Sequence, residues 1–105
     1  MPMRPDMLEK IRALSREYAA ALPHVMEDIG AIWSEDGPPQ ARLERLRMHV
    51  HTLAGNGATM GFPEISQLAS SIESVLDVEF NARTMGEVEH LLGRLREAAE
   101  RAKTG

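Results

Sequence analysis

The chain has 105 residues, enough for one domain built on a single core. It contains no cysteine, which excludes disulfides, thiolate metal sites and cysteine nucleophiles together. A formal net charge of −4 argues against nucleic acid as the main partner, and no apolar run is long enough to predict a membrane span. Met1-Pro2-Met3-Arg4 does not read as the opening of a signal peptide, so a cytoplasmic location is expected.

Helical periodicity dominates, and strand-type alternation is absent. Asp6, with Glu9 three residues on, predicts an N-cap and capping box, after which Leu8, Ile11, Leu14 and Tyr18 recur at helical spacing. Pro23 predicts either the first residue of a second helical segment or a kink in a longer one. That segment carries Val25, Met26, Ile29, Ile32 and Trp33, and Asp36-Gly37-Pro38-Pro39 predicts the turn that ends it. A further helix is predicted over about residues 40–60, with Leu43, Leu46, Val50, Leu53 and Met60 as its apolar stripe. Gly61-Phe62-Pro63 reads as a C-terminal glycine followed by a proline that restarts the chain as a helix. Its core face is Ile65, Leu68, Ala69, Ile72, Val75 and Leu76. Thr84 to Glu87 predicts a capping box for the last helix, with Met85, Val88, Leu92, Leu95 and Ala99 facing inward. Short connections favour antiparallel neighbours. The expectation is an all-α, antiparallel four-helix bundle with an additional short N-terminal helix, one domain over residues 1–105.

On the predicted 40–60 helix, 100° per residue places His51 well outside the stripe of Leu46, Val50, Leu53, Gly57 and Met60. Glu44, Arg47, Met48, Ala54, Gly55 and Ala58 share its face. The segment carries two glycines, each about 1 kcal/mol less favourable than Ala inside a helix. Gly57 lies on the core stripe and predicts close approach of a neighbouring helix. Gly55 lies beside His51 and leaves bare backbone where a bulky partner can reach the imidazole. For a lone helical His the ordinary reading is a solvated surface residue, and the uncrowded face weighs against it.

Metal chemistry finds little support. The spacing Glu87-Val88-Glu89-His90 occurs once, and Glu87 and His90 point away from the stripe, which reads as a solvated face rather than half of a di-iron site. His49 and His51 lie about 200° apart on a helix and cannot chelate one ion. No metal site is expected, and His24 and His90 show no partner pattern.

The run His51, Leu53, Gly55 and Gly61, followed by Leu68-Ala69-Ser70-Ser71-Ile72-Glu73, resembles the histidine-containing phosphotransfer (HPt) domains of two-component phosphorelays. The resemblance implies that His51 accepts a phosphoryl group from the aspartyl phosphate of a receiver domain and passes it to another. It implies a carrier without kinase activity of its own, with no cofactor bound by this chain and Mg²⁺ supplied by the receiver. Gly55, Ala54 and Arg47 are the implied supporting residues, and Glu44, Met48 and Ala58 the implied docking residues. Response-regulator receivers are the expected partners, with a hybrid histidine kinase as a further candidate. Many relatives have Lys three residues after the His, where this chain has Ala54; Arg47, one turn earlier, is the candidate substitute. A common Ser is here Asn56. The alternative reading is a helical docking module that binds receivers or kinases without being phosphorylated.

Overall fold

Thirty residues, Pro5–Ser34, form one uninterrupted helix, α1, and Pro23 lies inside it. The computed structural model describes residues 4–34, 39–78 and 81–104. Proline in a helix interior removes one backbone bond and crowds the carbonyl four residues back, at about 3 kcal/mol. Burial of Leu22, Met26, Ile29 and Ile32 around that point outweighs it. The expected additional N-terminal helix is therefore not separate: residues 5–22 are the first part of α1. The helix opens on Pro5, where a missing N–H costs nothing, and Asp6 lies in its first turn rather than capping it.

Three more helices follow: α2 (Pro39–Asn56), α3 (Pro63–Leu76) and α4 (Ala82–Thr104). Each packs on the next and α4 returns to α1; among the described residues the backbones of the diagonal pairs do not come close. The Tyr18–Asn56, Ala54–Ser66 and Glu64–Arg101 contacts place consecutive helices antiparallel. The core draws on all four, with Ile29, Leu46, Val50, Ile72, Val88 and Leu95 shielded from solvent. The expected turn at Asp36-Gly37-Pro38 lies outside the described residues. The expected stripes of α2 and α3 are inside, with Leu43 and Val75 at the margin of the core, except for Met60: α2 ends at Asn56 rather than near 60, and Met60 lies in the turn that follows, outside the core.

Two expectations about the core need correction. Leu8, Ile11 and Leu14 are not buried: they are 39%, 42% and 50% exposed. The reason is length, since α1 outruns its neighbours. Ser15 Oγ donates to the Met60 carbonyl at 2.7 Å and the Tyr18 hydroxyl to Asn56 Oδ1 at 2.8 Å, which marks where the α2–α3 turn meets α1. Residues before Ser15 project past that level. Met85 is also exposed, because α4 begins two residues before Thr84. Asn81 caps the helix: its Oδ1 accepts from the Arg83 and Thr84 N–H groups, and Thr84 Oγ1 accepts from the Asn81 N–H at 2.7 Å. This reciprocal cap sits one turn earlier than the predicted Thr84 to Glu87 box. It puts Thr84 and Val88 on the buried side and turns Met85 outward.

The α2–α3 connection follows the predicted pattern. The Phe62 N–H donates to the Gly57 carbonyl at 2.8 Å and the Gly61 N–H to the Ala58 carbonyl at 3.1 Å, the paired bonds of a Schellman motif. Gly61 takes φ +96°, a conformation that side chains disfavour, and Pro63 opens α3.

This arrangement predicts a sharp contrast in stability. Ile29→Ala should lower unfolding free energy by about 2–5 kcal/mol, whereas Ile11→Ser, at a position already half in water, should change it by less than about 1 kcal/mol. Urea denaturation of the two variants checks this.

Candidate functional site

The site is built where α2 and α3 run side by side. Gly57 sets their separation: a Cβ there would lie 2.9 Å from the Ser66 nitrogen and 3.2 Å from its Cα. Only a residue without a side chain permits that approach, as the core-stripe reading of Gly57 anticipates. Ser66 Oγ then donates to the Ala54 carbonyl at 2.7 Å. With that contact fixed, antiparallel register brings together His51 and Glu73, then Arg47 and Asp77.

His51 projects from the outer face of α2, and its side chain is 75% exposed. Its Nδ1 lies 2.6 Å from Glu73 Oε2. An ionised carboxylate can only accept, so this contact places a proton on Nδ1 and leaves the lone pair on Nε2. Nε2 is the nitrogen remote from Glu73. The result is an imidazole oriented by Glu73 on a side chain that is mostly open to solvent.

The other residues of the expected site sort into two groups. Met48 and Gly55 are exposed on α2, Met48 at 69%, and Ala58 is exposed in the turn that follows Asn56, beyond the helix on which it was expected. At Gly55 an added Cβ would meet nothing within 4 Å, so the backbone there is open to an approaching partner. Ala54 is half-buried and packs against the core, and Glu44 is exposed. Arg47 is committed elsewhere. One Nη pairs with Asp77 and the other donates to the Leu76 carbonyl at 2.8 Å, so its fork closes the C-terminal end of α3. Glu44 lies 3.9 Å from Arg47 Nε.

Glu73, the last residue of the α3 run Leu68 to Glu73, has a role that the sequence pattern alone does not assign. The available signal was its place beside the buried Ile72 at the edge of the α3 core stripe. Linking it to His51 required the register that Gly57 fixes. Asn56 has a structural use. It accepts from Tyr18, whose ring stacks on Phe62 with centroids 5.8 Å apart. Burial pushes the Tyr18 hydroxyl above its ordinary range, which keeps it protonated as a donor. These contacts brace the turn after the site helix.

His49 points away from His51 into a groove shared with Asp28, Ala31, Arg45 and Thr52. Among the described residues no group of His, Asp and Glu is arranged to hold a metal ion, and no helix is long and apolar enough to cross a membrane.

The Hpt domain family matches residues 5–105, essentially the whole chain, and the chain belongs to that family. Comparisons with characterised proteins and with solved structures gave no match. Membership carries a histidine phosphotransfer role in two-component signalling, in a family that works with receiver domains and kinases.

The two glycines should respond oppositely to alanine. Gly55→Ala should stabilise the protein by about 0.5–1 kcal/mol, because the site is open and Ala favours the helix. Gly57→Ala should destabilise it by about 1–3 kcal/mol, because the new methyl meets the Ser66 backbone. Thermal unfolding of both variants measures the difference.

Proposed function

We propose that this protein is a phosphorelay carrier in which His51 Nε2 accepts a phosphoryl group from the aspartyl phosphate of one receiver domain and delivers it to another. The observation that supports this most directly is the Glu73 contact at Nδ1, which orients the ring and leaves the opposite nitrogen free. In the accepting step the Nε2 lone pair attacks phosphorus and the P–O bond to the receiver's Asp breaks. The bonding pair leaves with the carboxylate. The ring then carries positive charge, and Glu73 stabilises it through the Nδ1–H bond. Delivery is the reverse: a receiver carboxylate attacks phosphorus, the P–N bond breaks, and the electron pair returns to Nε2.

Phosphoryl transfer depends chiefly on in-line positioning and on neutralising charge spread over three oxygens. In this reading the chain provides the first part: a rigid helix, an oriented ring and the bare backbone at Gly55. The receiver provides its Asp and a Mg²⁺ ion. Met48, Gly55 and Ala58 form the docking centre, with Glu44 at its edge. A receiver helix laid across α2 can approach closely because the residues around the ring are small.

The test uses a phosphorylated receiver and follows transfer of label. Wild type should acquire an acid-labile, alkali-stable phosphate that His51→Gln abolishes. Glu73→Ala should still be labelled, about tenfold more slowly, because the ring loses its orienting acceptor. No label on wild type with any receiver of the source organism would instead favour the docking module that binds without being phosphorylated.

A further inference from the structure

The overhang of α1 leaves four large apolar side chains uncovered. Met7 and Leu14 are half exposed, and Leu8 and Ile11 nearly so. At 100° per residue the four fall within about 120° of one another, on the side of α1 that buries Leu22, Met26 and Ile29 lower down. Past Ser15 no helix among the described residues reaches that side. α2 and α3 stop at the turn whose Met60 carbonyl accepts from Ser15. α4 ends at Thr104, four residues beyond Glu100, and Glu100 borders the same groove as Pro23, which is eight residues from Ser15.

The uncovered strip is complementary to itself. Two overhangs laid antiparallel about a twofold axis between Glu9 and Lys10 bring Leu8 of each copy onto Ile11 of the other and Met7 beside Leu14. None of the four is left without a partner. Arg4 then stands level with Ser15 of the other copy, so the overlap ends where each bundle begins and spans about 16 Å of helix. The charges suit the same register. Arg12 flanks the strip and comes within reach of Glu9 on the other copy, twice by symmetry. Between Arg4 and Leu14 the basic residues are Arg4, Lys10 and Arg12 and the acidic ones Asp6 and Glu9. Two overhangs therefore meet close to neutrality, although the whole chain carries −4. A helix made for an anionic membrane would instead carry a mainly basic polar face.

We propose that α1 pairs through Met7, Leu8, Ile11 and Leu14 with the same segment of a second copy, forming an antiparallel twofold dimer. A two-helix contact of this length falls below the roughly 1,200 Å² at which stable interfaces begin, so the dissociation constant is on the order of 100 µM. The contact uses α1 only as far as Ser15. It is independent of the carrier reading, and both His51 side chains of a pair lie outside it.

Sedimentation velocity of the whole chain from about 5 µM to about 1 mM tests the proposal. Wild type should pass from monomer to dimer over that range, and Ile11→Asp should raise the dissociation constant about tenfold or more. Circular dichroism of the dilute variant should match wild type, because Ile11 is not part of the core. Glu9→Arg and Arg12→Glu should each dimerise about threefold more weakly alone, and a mixture of the two should regain wild-type affinity, because only the mixed pair sets Arg against Glu. Spin labels on His24→Cys report the orientation: an antiparallel pair holds them about 45 Å or more apart, a parallel pair within about 35 Å. A chain that stays monomeric at about 1 mM, a dimer that Ile11→Asp leaves intact, a mixture no tighter than its components, or the short label separation overturns the proposal. Binding to anionic vesicles without self-association also overturns it, and assigns the strip to a lipid surface.

Discussion

Backbone contact between α2 and α3 at Gly57 is the constraint on which the site rests. The missing side chain lets the two helices meet at Ser66, and the hydroxyl there ties to the Ala54 carbonyl. Everything further along the pair is then a matter of register. Counting back from that contact, His51 falls opposite Glu73 and Arg47 opposite Asp77. A wider separation would leave His51 as an unoriented ring on a solvated face.

The second element is the brace at the end of α2. Gly61 turns the chain through a positive φ, Phe62 stacks on Tyr18, and Tyr18 and Ser15 bind Asn56 and the Met60 carbonyl. Three helices are joined at this corner, one turn beyond the His51 face. The rigidity has a chemical use, because transfer between two proteins requires the accepting nitrogen to be in line when they meet. The apolar overhang of α1 lies past the same corner and belongs to neither the core nor the site.

Much of this was legible in the residues. Helical stripes gave the bundle and most of its core, because burial repeats every 3.6 residues and the turns carry Gly and Pro. The outward placement of His51 and the core role of Gly57 followed from the helical wheel, and the C-terminal glycine at Gly61 from the Gly-Phe-Pro run. What sequence could not supply was long-range register and relative length. Periodicity shows that Leu8, Ile11 and Leu14 share a face, but not that their neighbours stop short of them. It could not decide between a helix start and a tolerated proline at Pro23, because burial on both sides settles that choice. It placed the α4 cap one turn late, since Asn81 and Thr84 offer a competing reciprocal pair. For the same reason Arg47 looked available from its position on α2, and only the end of α3 shows where its guanidinium goes.

The central claim is that Glu73 fixes the proton on Nδ1 and leaves Nε2 as the nitrogen that carries phosphorus. Phosphorylated protein labelled with ¹⁵N in its histidine rings gives a direct measurement through ¹⁵N–³¹P coupling. The account predicts a single phosphorylated ring, that of His51, with phosphorus bonded to Nε2. Phosphorus on Nδ1, or on the ring of His24, His49 or His90, would contradict it.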